Sequence, residues 1–252
     1  MKLKNERVLL TGGAGGIGAL ISDRLIKAGA DLTVLDRCES LPFEAAHIKG
    51  DLSTPEGIEA AAARIAQQEW DVLINLAGVQ YFGPFENQPA DRLLQTYLVN
   101  LVAPARLIQT VLPSMRARKH GRIANIGSVF GSINFAHFAT YSSSKAGLRG
   151  LTHALRRETA GSGVSFTYVA PRAVKTPLNT EQVMRFAALT KMRMDKPEKV
   201  SRLIVDAVRW RKKEVVIGFP ESFFVKVNAI APSVVDQALS KGDRAAAQLF
   251  AA

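Results

Sequence analysis

Seven short apolar runs, rich in Val, Ile and Leu, alternate along the chain with longer segments whose apolar residues recur at helical spacing. Polar residues do not interrupt the runs regularly, which is typical of parallel strands that are buried on both faces under helices. The pattern predicts one α/β domain over residues 1–252: a doubly wound parallel sheet of about seven strands with helices on both faces. The runs are RVLLTG, LTVLD, HIKGD, DVLINLAG, GRIANIGS, VSFTYVAP and EVVIGFP.

One interval between strands is too short for the regular alternation. Only 14 residues separate Asp36 from Asp51. A parallel crossover usually needs a dozen residues or more, most of them helical. We therefore expect the crossover helix to be reduced to a turn around LPFEA.

Composition narrows the class of protein. Hydrophobic residues make up 47% and charged residues 22% of the chain, which is typical of a globular domain. The single cysteine, Cys38, excludes an intrachain disulfide and suits a reducing compartment. The four histidines show no metal-ligand spacing with Cys38, so no metal site is expected.

Membrane signals are weak, whereas the net charge is strongly basic. The first apolar run is too short for a signal peptide, and no uninterrupted apolar stretch reaches about 18 residues, so we predict a cytoplasmic protein without an integral span. The net charge of +11 favours anionic ligands or surfaces. The basic runs at 116–122 and 209–213 have no nucleic-acid motif around them and are interpreted as solvated helix ends, with peripheral lipid contact as the alternative.

A glycine-rich loop follows the first predicted strand. TGGAGGIG, residues 11–18, lies between that strand and the helix GALISDRLIKAGA. Glycines at 12, 16 and 18 permit a tight turn and let a diphosphate approach the amides at the start of the helix. This context predicts a nucleotide-binding site.

Asp36 ends the second predicted strand, about 20 residues beyond the glycines, where a carboxylate can accept hydrogen bonds from an adenosine ribose. The same carboxylate would repel a 2′-phosphate. Arg37 stands next to it and could instead hold that phosphate. The sequence therefore favours NAD and leaves NADP open.

Tyr141 and Lys145 in YSSSK lie one helical turn apart if a helix begins at Tyr141. They would share a stripe with Leu148, Thr152 and Leu155. A lysine on such a stripe either extends past the core to solvent or is buried with specific partners. The local pattern does not decide between these two interpretations.

Taken in order, these motifs resemble the short-chain dehydrogenase/reductase family over nearly the whole chain. The resemblance implies a Rossmann fold and an NAD(P)-dependent oxidoreductase that interconverts a secondary alcohol and a ketone. It also implies a homodimer or homotetramer paired through the Tyr141 helix and the helix beginning DRLLQ. The matching elements are Thr11-Gly12-x-x-x-Gly16-x-Gly18, Asp51, NLAG at 75–78, Asn100, Ser128, Tyr141-x-x-x-Lys145 and PRAVKT at 171–176.

The resemblance assigns four catalytic roles. Tyr141 would be the acid/base, and Lys145 would bind the nicotinamide ribose and lower the pKa of Tyr141. Ser128 would hydrogen-bond the substrate oxygen. Asn100 would hold a water molecule that relays protons between Lys145 and solvent.

Cofactor contacts follow from the same resemblance. Asp51 and Leu52 would frame the adenine, unless Asp51 is a helix cap. Asn75, unless it is only a turn residue, would pack with its neighbours against the adenosine side. Val174 and Thr176 would hold the carboxamide and diphosphate. The full predicted cofactor set is Thr11, Gly12, Gly16, Ile17, Gly18, Asp36, Arg37, Asp51, Leu52, Asn75, Ala77, Gly78, Tyr141, Lys145, Pro171, Val174 and Thr176.

Arg172 departs from the family pattern, which has glycine after the proline of this motif. A guanidinium here could reach the cofactor diphosphate or an anionic substrate. The sequence leaves both alternatives open.

Two further regions bear on the substrate. Residues 177–198 occupy the place of the family's substrate loop, and the apolar side chains there either line a pocket or belong to the core: Met184, Phe186, Leu189, Met192 and Met194. We expect an apolar or lipid-like small-molecule substrate.

Residues 221–240 predict an apolar helix broken or restarted at Pro232, with Phe223, Val227, Ile230 and Val234 at helical spacing. It either packs on the body or on a second subunit, or forms a lid or a membrane contact. The alternatives to an enzyme are a non-catalytic nicotinamide sensor or scaffold and a peripheral lipid-surface protein.

Overall fold

The computed structural model describes residues 3–250 and confirms the doubly wound α/β class. In the described chain seven parallel strands form one sheet in the order β3-β2-β1-β4-β5-β6-β7. The strands are β1 (Arg7–Thr11), β2 (Asp31–Asp36), β3 (Ala46–Lys49), β4 (Val72–Asn75), β5 (Gly121–Ile126), β6 (Val164–Pro171) and β7 (Glu214–Ile217). The direction of winding changes between β1 and β4, and ligands of such sheets bind at that position.

Helices cover both faces of the sheet. They are α1 (Gly16–Lys27), α2 (Pro55–Ile65), α3 (Ala90–Tyr97), α4 (Ala103–Ala117), α5 (Ala139–Glu158), α6 (Glu181–Leu189), α7 (Pro197–Arg209), α8 (Glu221–Ile230) and α9 (Pro232–Ala247). In β1, Val8 and Leu10 pack with α1 and α7, whereas Leu9 packs with α2 and α4. Burial on both faces explains why the strands lack polar alternation.

The short interval between β2 and β3 contains no helix. Residues 37–45 form bends and lead directly into β3. The chain thus crosses to the sheet edge with the reduced connection that its length predicted.

The longest helical stretch runs from Ala90 to Ala117 and includes a π-helical turn at Leu98–Val102. By length and composition this stretch could cross a membrane, but 56% of its most apolar window is buried inside the protein. A buried core helix passes the same test, and the contacts of α4 with α2 and β5 account for its apolar side.

The carboxyl-terminal region forms two helices that meet at Ala231, because Pro232 occupies the first turn of α9. Phe223, Ile230 and Val234 are 56%, 87% and 54% exposed. Val225 and Val235 are the buried positions of these helices near the sheet. The apolar residues that recur at helical spacing in 221–240 therefore lie mainly on the exposed face of these two helices.

Candidate active site

The carboxyl ends of β1, β2, β4, β5 and β6 surround two adjoining hollows. One holds about 160 Å³ and lies beside Asp36. The other holds about 130 Å³ and lies beside Tyr141. Gly78 lines both, so the two hollows form one continuous cleft at the switch point of the sheet.

The glycine loop brings the backbone close to the cleft. Gly12 has φ +72°, and a Cβ there would lie 2.8 Å from Cα of Ala77. Only glycine combines that conformation with that contact. The first turn of α1 has no side-chain cap and no acidic residue, so its N–H groups are available to an anion such as a diphosphate.

Asp36 lies at the mouth of the larger hollow. Its carboxylate accepts hydrogen bonds from the N–H groups of Ala14 at 3.0 Å and Cys38 at 3.3 Å, while Arg37 is exposed. Asp51 does not cap α2, because Thr54 provides that cap. The predicted residues that line this hollow are Gly12, Asp36, Arg37, Asp51, Leu52, Ala77 and Gly78.

The smaller hollow brings together three of the four predicted catalytic residues. The predicted residues lining it are Ile17, Gly78, Ser128, Tyr141, Lys145, Pro171, Val174 and Thr176. Helix α5 begins at Ala139, two residues before the predicted start, and still places Tyr141 one turn ahead of Lys145.

Lys145 is buried, with 4% of its surface exposed, and does not extend to solvent. Its ammonium donates a hydrogen bond to the carbonyl oxygen of Ile126 at 3.0 Å and lies 5.8 Å from the ring centre of Tyr141. Burial lowers the pKa of Lys145 to about 8. The amine therefore keeps its proton at neutral pH and loses it as the pH rises through about 8.

Tyr141 and Ser128 face one another across the hollow. Burial raises the pKa of the Tyr141 phenol, and a hydrogen bond with the Ser128 side chain opposes that rise. The resemblance assigns the lowering of this pKa to Lys145 together with the oxidised nicotinamide, and that role stays a prediction. The Ser128 side chain is positioned by a hydrogen bond that its hydroxyl oxygen accepts from the N–H of Phe130 at 3.2 Å.

Asn100 lies in the π-helical turn and is fully buried. Its amide accepts from the N–H of Val79 and donates to the carbonyl of Val79, both at 2.9 Å, and donates to Ser144 Oγ at 3.0 Å. Single π turns often mark functional positions in helices. This one fastens the loop after β4 to α5 directly beside Lys145.

The remaining predicted residues do not line either hollow. They are Thr11, Gly16, Gly18, Asn75 and Asn100. Thr11 Oγ1 accepts from the N–H groups of Leu76 and Ala77, and the Asn75 amide donates to Asn125 inside the sheet. Thr11 and Asn75 thus hold neighbouring strand ends together through hydrogen bonds.

An aromatic wall stands beside Tyr141, and of its members only Phe186 was named from the sequence, as a side chain that either lines a pocket or belongs to the core. It consists of Phe82, Phe130, Phe138, Phe186 and Phe250, whose neighbouring ring centres lie 4.7 to 5.7 Å apart. Phe130 and Phe138 also contact the ring of Tyr141. Phe130 and Phe138 belong to one segment, VFGSINFAHF, and the other three come from three separate segments, so the sequence pattern does not show that they meet.

Tyr168 on β6 was also missed. Its hydroxyl accepts from the N–H of Ser128 at 3.4 Å and donates toward the carbonyl oxygen of Lys145 at 3.3 Å. Burial raises the pKa of this phenol, which remains protonated. The sequence signal for it was a tyrosine within a strand made mostly of apolar residues.

Arg172 lines the smaller hollow and is engaged by carboxylates of the protein itself. It forms ion pairs with Asp195 and Glu221 at the edge of the smaller hollow. The guanidinium therefore belongs to a protein-internal network.

One acidic cluster lies away from the cleft. Glu6, Asp71 and His120 bring potential ligand atoms within 4.8 Å of one another. Arg118 pairs with Asp71 at 2.7 Å and Arg122 with Glu6 at 2.9 Å, so arginines already balance these carboxylates.

Comparison with known proteins identifies the family. A family model described as short chain dehydrogenase matches residues 6–185. The chain is 30% identical over 263 residues to a ketoacyl reductase, HetN, of Nostoc, covering 93% of this chain and 88% of that protein. It is 32% identical over 193 residues to the D-beta-hydroxybutyrate dehydrogenase of Rhizobium meliloti, covering 71% and 75%.

A solved short-chain dehydrogenase from Streptomyces avermitilis superimposes with a TM-score of 0.78 at 27% identity, covering 95% of this chain and 98% of that one. The chain belongs to the short-chain dehydrogenase/reductase family and is an oxidoreductase of the NAD(P)-dependent kind.

Proposed function

We propose that the protein interconverts a secondary alcohol and a ketone by hydride transfer, with an apolar substrate bound beside Tyr141. The observation that carries this proposal is the convergence of Ser128, Tyr141 and Lys145 on one small hollow whose outer side is aromatic. In this arrangement Tyr141 exchanges the proton, Ser128 orients the substrate oxygen, and Lys145 and Asn100 support the proton path.

The cleft fits a nicotinamide dinucleotide. The uncapped start of α1 offers amides to the diphosphate, Asp36 faces the ribose end, and Val174 and Thr176 lie at the nicotinamide end. When bound, the cofactor would supply or accept the hydride. Asp36 favours NAD, because its carboxylate would repel a 2′-phosphate.

The protonation state of Tyr141 favours its action as an acid. Because burial raises the pKa of the phenol, the neutral form dominates at neutral pH. That form can donate its proton to a ketone oxygen while Ser128 steadies the developing charge. The neutral phenol therefore suits the proton-donating role that ketone reduction requires.

The aromatic wall supports an apolar substrate. Phe130 and Phe138 are buried and contact the ring of Tyr141. A polar substrate would lose its hydration there without replacement. The name of the Nostoc relative, a ketoacyl reductase, agrees with this preference.

The test is oxidation of NADH and of NADPH by the purified protein with cyclohexanone, acetophenone or dihydroxyacetone, alongside Tyr141→Phe. We expect turnover of the two apolar ketones with NADH and a loss of about 100- to 10,000-fold in the variant. Cofactor affinity, measured by fluorescence titration, should stay unchanged, because the lost hydroxyl serves proton transfer.

Other outcomes of this test are informative. Preference for dihydroxyacetone would contradict the apolar substrate, and preference for NADPH would contradict the role of Asp36. Cofactor binding without turnover of any ketone would favour the sensor or scaffold. A cytoplasmic location and a homo-oligomeric state remain part of the proposal.

A further inference from the structure

Arg172 follows β6 directly, and its side chain crosses the end of β7. Gly218 lies beneath it with φ +113°, and a Cβ there would come within 2.5 Å of Arg172 Cδ. Because glycine has no Cβ, position 218 leaves room for the aliphatic part of the Arg172 side chain. The two residues form one local arrangement at the sheet edge.

The guanidinium of Arg172 uses most of its donors on two carboxylates and a backbone carbonyl. Nε and Nη2 donate to the two oxygens of Asp195 at 2.9 and 3.0 Å. Nη1 donates to Glu221 at 3.0 Å and to the carbonyl oxygen of Phe219 at 3.1 Å. The Arg172 and Asp195 side chains are only 12% and 6% exposed, so this bidentate pair is shielded from water.

Asp195 closes the pocket segment, which we define as residues 175–194. At the neck of this segment the Lys175 N–H donates to the Asp195 carbonyl at 3.2 Å, and the Asp195 N–H donates to Ala173 at 2.9 Å. Backbone bonds thus join the two ends of the segment. The Arg172 ion pair fastens that neck to β6 and to the start of α8.

The pocket segment forms one wall of the hollow beside Tyr141. Its residues on that wall include Leu178, Asn179, Val183 and Met192. The Asn179 amide donates back to the Val174 carbonyl at 2.7 Å. The position of this wall therefore depends on the neck.

We propose that Arg172 is a positioning residue that acts through Asp195: it holds the neck of the pocket segment closed and so sets the wall of the substrate hollow. It does not touch the reacting groups. The structural part of this inference is independent of the proposed function, whereas its kinetic consequence rests on that function.

The first test is hydrogen exchange by mass spectrometry on the full-length protein. We compare the wild type with Arg172→Gln, Asp195→Asn and the double variant. Amides of 175–194 should exchange about tenfold faster in each variant, while β4 and β5 stay unchanged. Because the two residues act as one unit, the amides of 175–194 should exchange no faster in the double variant than in either single variant.

The second test separates positioning from general stability. With cyclohexanone as the probe, Arg172→Gln should raise KM several-fold with a smaller change in kcat. Arg172→Lys keeps the charge without the bidentate geometry, so its KM should lie between those of the wild type and Arg172→Gln. The matched control is Arg185→Gln, which removes an exposed ion pair within the same segment and should alter neither exchange nor KM.

Unchanged exchange in 175–194 for both Arg172→Gln and Asp195→Asn would overturn the proposal, as would faster exchange spread evenly over the whole chain. Faster exchange confined to the segment, in a protein whose wild type reduces no ketone, would support the positioning role and contradict the proposed function. The two failures are therefore distinguishable.

Discussion

The Lys145 ammonium lies in the protein interior and donates a hydrogen bond to the Ile126 carbonyl oxygen. Its pKa is lowered by burial from 10.5 to about 8. Between these two pH values the unfolded chain binds a proton that the folded chain does not. The folded state therefore gains stability as the pH rises through this window and loses it as the pH falls toward 8.

We expect Lys145→Met to remove this pH dependence. The free energy of unfolding of the wild type, minus that of the variant, should rise between pH 8 and 10.5 with a slope of up to about 1.4 kcal/mol per pH unit. Urea unfolding at several pH values measures it, with the surface substitution Lys27→Met as control. Parallel curves for the wild type and Lys145→Met would show that the lysine is not desolvated as described.

At the residue scale, the sequence could predict contacts between residues that are close together along the chain. Tyr141 and Lys145 are four positions apart, so helical geometry alone brings them together. The partners of Arg172 stand 23 and 49 positions away, and nothing in the local pattern marks them. The sequence therefore left two possible ligands open for the guanidinium and did not predict its ion pairs with Asp195 and Glu221.

At the element scale, Tyr168 joins the end of β5 to helix α5. Its hydroxyl lies between Ser128 and Lys145, and a Cβ on Gly127 would overlap it. Gly127 and Tyr168 are therefore matched in size. The match sets how closely β5, β6 and the catalytic helix approach one another.

A size-exchange experiment tests this match. Gly127→Ala in the wild type should lower the free energy of unfolding by about 1–3 kcal/mol, because the added methyl overpacks the site. In a Tyr168→Val background the same change should cost much less, giving a coupling of about 1–3 kcal/mol. Urea unfolding of the four proteins measures this coupling. Additive effects would mean that the two residues do not share the space.

The positions of the strands could be predicted from local sequence, whereas the exposed face of α8 depends on distant residues. All seven strands coincide with predicted runs that are rich in Val, Ile and Leu and separated by longer segments of helical spacing. The outward orientation of Phe223 and Ile230 was not predictable, because helical spacing identifies a stripe without saying what covers it. Which face of α8 meets the body depends on Val225 and on its distant neighbours.

At the scale of the whole molecule, the long helix Ala90–Ala117 leaves part of its apolar surface outside the core. Leu94 is 57% exposed and Val102 is 44% exposed. Exposed apolar residues on such a helix suit an interface between subunits. We expect a second copy of this chain to cover them, in keeping with the homo-oligomer implied by the resemblance.

Net charge gives this association a distinctive dependence on salt. Two copies that each carry +11 repel one another, and salt screens that repulsion, so the oligomer should persist or strengthen as the ionic strength rises. Attachment to an anionic lipid surface should weaken under the same conditions, because salt screens the attraction. The two explanations for exposed apolar helices therefore predict opposite trends.

Sedimentation velocity at low and high salt measures the first trend, and co-sedimentation with phosphatidylserine-containing vesicles measures the second. The double substitution Leu94→Gln and Val102→Gln preserves the charge and should dissociate the oligomer to monomers, because it removes the apolar contact. Phe223→Gln, which changes an equally exposed position on α8, should leave the oligomer intact. A wild type that is monomeric at both salt concentrations, yet binds vesicles only at low salt, would contradict the subunit interface and favour the lipid surface.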